Sequence, residues 1–268
     1  MDLIYSPQNV IFGFLLSAGV AFLIFRLISQ SSPKPYIDKK TEKVEVQNYF
    51  NGMGFDRWNR IYSESDEINK VQKNIRLGHQ KTVDDVLSWI QESGEIDQMS
   101  FCDAGCGVGS FSLPLISLKP AAISASDISQ AMVDETNRRA FEMGVDMSSL
   151  NCFVSDLESL KGSFHTVVCL DVFIHYPQDA AEDMVQHLCS LTKERLIVSF
   201  APYTPLLALL KKIGQLFPGP SKTTRAYTLN ADGIISAAKK SGFTVKRSKL
   251  NQAPFYFSRL IEFRKIKK

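Results

Sequence analysis

The sequence predicts an α/β domain built on a parallel, doubly wound sheet, and three observations carry that prediction. Five short apolar runs, at 99–103, 121–126, 150–155, 164–170 and 194–200, alternate with helical patterns at 108–118, 129–143 and 179–191. Strands separated by helical patterns pair in parallel, because each helix returns the chain to the same end of the sheet. A glycine-rich turn, Gly105-Cys106-Gly107-Val108-Gly109, follows the first run, and an acid, Asp127, closes the second. With 268 residues, the chain can bury one sizeable core and still carry appendages.

The turn is the stretch around which the chain is organised. Strand, glycine turn and helix in that order let a ligand approach bare backbone beside a helix N-terminus. The dinucleotide fingerprint is G-x-G-x-x-G, whereas here the spacing is G-x-G-x-G with Asp103 immediately before it. An acid there repels a pyrophosphate and suits a ligand that carries an amino group. Asp127 lies 20 residues beyond Gly107, where a ribose-binding acid is expected. The two acids and the turn resemble the S-adenosylmethionine site of Rossmann-like methyltransferases. That resemblance makes Asp103, Gly105, Gly107, Gly109, Asp127 and Ile128 cofactor-binding candidates.

In a parallel sheet the ligand lies across the carboxyl ends of the strands. The same rule brings in Ser155-Asp156-Leu157 and Leu170-Asp171-Val172-Phe173-Ile174-His175. Asp156 can accept from an adenine amino group, Leu157 offers apolar contact to the ring, and Leu170 ends the fourth strand. For Asp171, capping and ligand contact are both open. His175 lies just past that strand, beside the place of a transferred methyl group.

Before the sheet, Val83, Val86, Leu87 and Ile90 form one helical apolar stripe within a helical stretch from Glu42 to Glu92. After the fifth strand come an apolar stretch ending in Lys211-Lys212, a Pro/Gly-rich run, a helix from Asn230 to Ser241, and a closing hairpin at 243–250 and 255–263. At the N-terminus, Val10 to Phe25 is free of charge, slightly short of the ~20 residues that span a bilayer. Asp2 and the absence of Lys or Arg before it fit a signal peptide poorly. Arg26, Lys34, Lys39 and Lys40 follow the segment and place its C-terminal side in the cytoplasm or its equivalent. The expected organisation is therefore a hydrophobic membrane-anchor helix over 1–30, a linker over 31–42, and a catalytic domain over 43–268 with a helical lid at 43–93 and a substrate-binding insertion at 201–229.

Charge is unevenly spread. Residues 195–268 hold 15 Lys/Arg against two acids, while the rest of the chain is net acidic. The basic part faces something negative: a carboxylate-bearing ligand, an anionic membrane surface or nucleic acid. Five cysteines without C-x-x-C spacing read as reduced thiols, and no protein metal site is expected. An Asn/Asp-Pro-Pro-aromatic turn is absent after the fourth strand and no proline precedes a cysteine, which disfavours amino-group and cytosine C5 acceptors and leaves oxygen acceptors. Nucleic acid is not expected as a partner, because RNA binding predicts aromatics interleaved with arginines, whereas these cations are mostly lysines.

The narrower segments are Tyr49-Phe50-Asn51, Gly54-Phe55-Asp56-Arg57-Trp58, Arg60-Ile61-Tyr62, Ile174-His175-Tyr176-Pro177 and Phe217-Pro218-Gly219-Pro220-Ser221-Lys222-Thr223-Thr224-Arg225-Ala226-Tyr227. Together with the turn they resemble the magnesium protoporphyrin IX methyltransferase family, from about Val44 to the C-terminus. The resemblance implies methyl transfer from S-adenosylmethionine to one propionate of magnesium protoporphyrin IX, in chlorophyll synthesis at a photosynthetic membrane. It implies that Tyr62 and His175 serve catalysis, and it points to Trp58, Lys222, Arg225 and Tyr227 for substrate binding. Magnesium then belongs to the substrate, and magnesium chelatase is a candidate partner. The catalytic domain is expected on the cytoplasmic or stromal face of that membrane.

Overall fold

In the computed structural model seven strands form one sheet in the order β3-β2-β1-β4-β5-β7-β6. The structure describes residues 39–62, 68–204 and 227–267; the anchor expected at 1–30, and Lys222 and Arg225, lie outside the described residues. Strands β1 (Ser100–Ala104), β2 (Ala122–Asp127), β3 (Leu150–Val154), β4 (Phe164–Leu170) and β5 (Thr192–Phe200) are mutually parallel. The antiparallel hairpin of β6 (Phe243–Ala253) and β7 (Tyr256–Lys265) closes the sheet against β5. The apolar runs become central strands because both faces are covered, as Val167, Val168, Cys169, Leu196, Ile197 and Val198 are fully buried.

The chain runs outward from β1 to β3, then returns to the other side of β1 with β4. A crevice therefore opens at the carboxyl ends of β1 and β4, where the strand order reverses.

Three helices precede the sheet: α1 (Lys39–Phe50), α2 (Met53–Ile61) and α3 (Lys70–Gln91). Helix α3 begins at a capping box, with the Gln72 backbone N–H donating to Asn69 Oδ1 at 2.9 Å and the Asn69 N–H donating to Gln72 Oε1 at 3.1 Å. Its predicted stripe lies against the sheet, with Val83, Val86 and Ile90 wholly buried, each burial contributing roughly 1.5–3 kcal/mol. Helices α1 and α2 pass over the crevice instead. Ser129 Oγ donates to the Phe50 carbonyl at 2.9 Å and Gln47 Nε2 to the Ile128 carbonyl at 3.1 Å, which ties α1 to the end of β2.

The helix expected at 108–118 is shorter. Only α4 (Ser112–Ile116) is regular, because Gly105, Gly107 and Gly109 hold φ of +87°, +53° and +81° and keep the chain turning as far as Phe111. The other helices match their patterns: α5 (Gln130–Glu142), α6 (Gln178–Leu191) and α7 (Ala231–Lys240). Ser129 caps α5 by accepting from the Met132 N–H at 3.3 Å. Among the described residues no helix is long and apolar enough to cross a membrane.

Candidate active site

The crevice is a cavity of about 910 Å³, at the upper end of the range for small-molecule sites. One half is built from the glycine turn and the ends of β2, β3 and β4. The other is built from α1, α2 and the β6–β7 turn.

In the first half Asp127 is the organising group. Its Oδ2 accepts the Gly107 N–H at 2.9 Å and its Oδ1 accepts the Ser129 N–H at 2.9 Å. Burial raises its carboxyl to about 6, and these backbone donors keep it from rising further. Both oxygens retain lone pairs for hydroxyl donors. A Cβ at Gly107 would meet nothing within 4 Å, so the space above this turn is open to a ligand. Asp103 is buried, accepts from Ser112 Oγ at 2.6 Å, and is pushed by burial up to about 7. Gly105, Ile128, Leu157 and Leu170 line the same half.

Two expected members stand elsewhere. Gly109 is outside the cavity wall; a Cβ there would come within 2.9 Å of Leu113, so its role is close packing of turn and helix. Asp156 is held by the Ser159 N–H at 2.9 Å and pairs with Lys43 at 3.4 Å. Its neighbours Ser155 and Leu157 face the cavity in its place.

In the second half Tyr62 ends α2 and stacks on Trp58, with ring centroids 5.7 Å apart and planes 19° apart. His175 is buried, edge-on to Phe50 at 4.9 Å, and its Nδ1 has no partner among the described residues. Burial lowers its pKa to about 4, with the Asp171 charge opposing. The imidazole is therefore neutral at neutral pH. Tyr227 is not in the cavity wall: its hydroxyl donates to Glu42 Oε1 at 2.5 Å, and its ring packs on the core.

Several residues here escape sequence reasoning. Arg57 lines the cavity with its Nε buried and without a hydrogen-bond partner among the described residues. Asp171 adopts a left-handed φ of +58° and gathers four donors: Ser199 and Ser258 on Oδ1, Tyr256 and His79 on Oδ2, at 2.7, 2.7, 2.7 and 3.2 Å. Burial alone would raise this carboxyl, but the hydrogen bonds outweigh it and hold it at about 2. A carboxylate only accepts, so His79 Nδ1 carries a hydrogen; its Nε2 meets Ser110 Oγ at 3.0 Å and its ring lies 4.8 Å from that of Tyr62. One half-buried anion thus joins α3, β4, β5, β7 and the glycine turn. Its only sequence sign was its place at a strand end.

With this geometry in view, relatives decide the family. The chain is 45% identical over 255 residues to a chloroplastic magnesium protoporphyrin IX methyltransferase from Arabidopsis thaliana, covering 92% of this chain and 81% of that protein. The chain belongs to the magnesium protoporphyrin IX methyltransferase family. The family described as magnesium-protoporphyrin IX methyltransferase C-terminus matches residues 169–265, and a methyltransferase domain family matches 101–195. A magnesium-protoporphyrin O-methyltransferase from Synechocystis is 48% identical over 221 residues, covering 82% of this chain and 95% of that one. The crystal structure of the Synechocystis enzyme with bound SAH superposes with a TM-score of 0.77 at 45% identity, covering 83% of this chain and 99% of that one. The Rossmann-like methyltransferase fold expected from the turn and strand pattern is the observed fold.

Proposed function

We propose that this family member transfers a methyl group from S-adenosylmethionine to one propionate carboxylate of magnesium protoporphyrin IX, giving the monomethyl ester in chlorophyll synthesis. The observation that carries the reading is the pairing, in one cavity, of a glycine turn and acids suited to the cofactor with an aromatic wall holding a neutral histidine.

The first half fits S-adenosylmethionine. Asp127 would hold the ribose hydroxyls with its remaining lone pairs, Ile128 and Leu157 would flank the adenine, and the open space over Gly107 admits the chain between them. Asp103 brings an acid to the amino-acid end. When bound, the cofactor supplies an electrophilic methyl on a sulfonium.

The rest of the chemistry falls to this chain's own residues. A propionate is ionised near neutral pH and is already nucleophilic, so the site needs no strong base. The carboxylate oxygen forms its bond to the methyl carbon as the carbon–sulfur bond breaks, sulfur keeps the electron pair, and no proton is displaced. Catalysis then rests on in-line positioning. Tyr62 and His175 hold the carboxylate oxygens from opposite sides. Burial keeps His175 neutral, so it can orient the carboxylate without quenching its charge and without repelling the sulfonium. Trp58 covers the macrocycle, and Arg57, with Lys222 and Arg225 of the 201–229 insertion, provides cations for the second propionate.

Residues 1–30 attach the enzyme to a photosynthetic membrane in this reading, with the catalytic domain on the cytoplasmic or stromal face and magnesium chelatase as a candidate partner there. A chain beginning at Lys39 should stay soluble and methylate detergent-solubilised substrate; aggregation or loss of cofactor binding would refute the anchor role. The activity itself is tested by incubating the full chain with labelled S-adenosylmethionine and either magnesium protoporphyrin IX or RNA. Label in the porphyrin monomethyl ester is expected, and label in RNA alone would overturn the proposal.

A further inference from the structure

The β6–β7 hairpin ends in a turn of two residues, Pro254-Phe255, between the paired residues Ala253 and Tyr256. Proline fixes a negative φ at the first position, and Phe255 has φ +65° at the second. That sign pattern belongs to a type II turn, whose second position ordinarily takes glycine or asparagine because a bulky side chain is strained there. Phe255 is also 67% exposed, yet it lines the cavity. The turn therefore keeps a large apolar ring where neither backbone preference nor burial favours it.

The surroundings show what enforces this. Tyr256, the next residue, has its hydroxyl 2.7 Å from Asp171 Oδ2 and 2.9 Å from Thr82 Oγ1. Its ring lies against Gly78 of α3, where a Cβ would approach within 2.3 Å. Ser258 Oγ donates to Asp171 Oδ1 at 2.7 Å. The base of the hairpin is thus locked to the same carboxylate that orders the site. Strain of this kind persists where neighbours over-determine it, and it gathers at ligand clamps.

We propose that Phe255 is a substrate-binding residue that clamps the macrocycle, laying its ring on the porphyrin face at the mouth of the cavity. The inference rests on the porphyrin reading above. A flat, extended aromatic ligand is the partner that an exposed ring on an anchored turn recognises best, by offset stacking. Because the ring meets the macrocycle and not the reacting carboxylate, its contribution falls on substrate affinity.

The test sets stability against affinity. Phe255→Gly relieves the left-handed backbone and removes an exposed apolar ring, so its Tm should equal or exceed that of the wild type. Its KM and its Kd for magnesium protoporphyrin IX should rise about tenfold, with kcat and S-adenosylhomocysteine affinity within twofold of wild type. Phe255→Tyr should restore the affinity. An unchanged KM in Phe255→Gly, or a lower Tm with wild-type porphyrin affinity, would overturn the clamp while leaving the substrate reading intact. If the wild-type chain forms no porphyrin ester, the substrate reading fails and the clamp with it.

Discussion

The two halves of the cavity are made by different means. The cofactor half is a local construction: β1, the glycine turn and the end of β2 fall within 30 residues, and backbone groups do most of the work, as when the Gly107 and Ser129 amides converge on Asp127. The acceptor half is assembled from far apart. Trp58 and Tyr62 come from α2, His175 from beyond β4, and Phe255 from the last hairpin, with side chains and aromatic rings as the material. The difference suggests that a generic cofactor platform is specified by short-range geometry and that substrate choice is written in long-range packing. Asp171 is the joint between the halves, since Ser110 of the glycine turn reaches it through His79 and the hairpin reaches it through Tyr256 and Ser258.

The largest effect should therefore come from breaking that joint. Asp171→Ala leaves four donors without their acceptor and should cost more than about 4 kcal/mol of stability. Thermal unfolding checks it; a Tm within a few degrees of wild type would show that the halves hold together without Asp171.

Next, His175→Ala and Tyr62→Phe separate the halves functionally. Each should lower kcat with the porphyrin, by roughly 100-fold for His175 and tenfold for Tyr62, while S-adenosylhomocysteine affinity stays within about twofold. Reduced thermal stability with normal turnover of the folded fraction would reassign both to packing.

On the cofactor side, Asp127→Ala should weaken S-adenosylhomocysteine binding by roughly 1.5–3 kcal/mol, the worth of a hydrogen bond to a charged group. Calorimetry showing unchanged affinity would remove Asp127 from the ribose site.

The smallest effect is on pH dependence. Burial raises Asp127 to about 6 and Asp103 to about 7, so both are partly protonated in the empty site just below neutrality. Hydroxyl and ammonium donors of the ligand favour the ionised forms. S-adenosylhomocysteine affinity should accordingly rise with pH and level off above about 7, and between about pH 7 and 5 it should fall by a few-fold in all. Asp127→Asn should remove the lower step. A flat profile from pH 5 to 8 would show that neither carboxyl ionises on binding.

The same contrast explains what was legible in the sequence. Short apolar runs marked the parallel strands, since strands covered on both faces are apolar at successive positions, and a period of 3.6 marked the stripe of α3. Gly105, Gly107 and Asp127 were readable because their spacing is itself the geometry. Helix α4 was overestimated, since apolarity after the turn hid how far three left-handed glycines carry the chain before it can coil. Tyr62 and His175 were reached through family resemblance, and their side chains do line the cavity. Tyr227 was drawn from the same resemblance, through the Phe217–Tyr227 segment, and its hydroxyl turns to Glu42. Arg57 lay within a segment of the resemblance without being singled out, and His79 and Tyr256 carried no signal: His79 lies 92 residues from Asp171 and Tyr256 85, and no local pattern states that they meet. Phe255 left one trace, Pro254 before an aromatic, which a strand reading absorbs.

The central claim is that one cavity holds two separable sites, one for the cofactor and one for the porphyrin. The most direct measurement titrates S-adenosylhomocysteine and magnesium protoporphyrin IX separately into Asp127→Ala and Trp58→Ala. The claim predicts that Asp127→Ala loses affinity for S-adenosylhomocysteine only and Trp58→Ala for the porphyrin only, by about tenfold or more in each case; parallel loss of both ligands in either variant would contradict it.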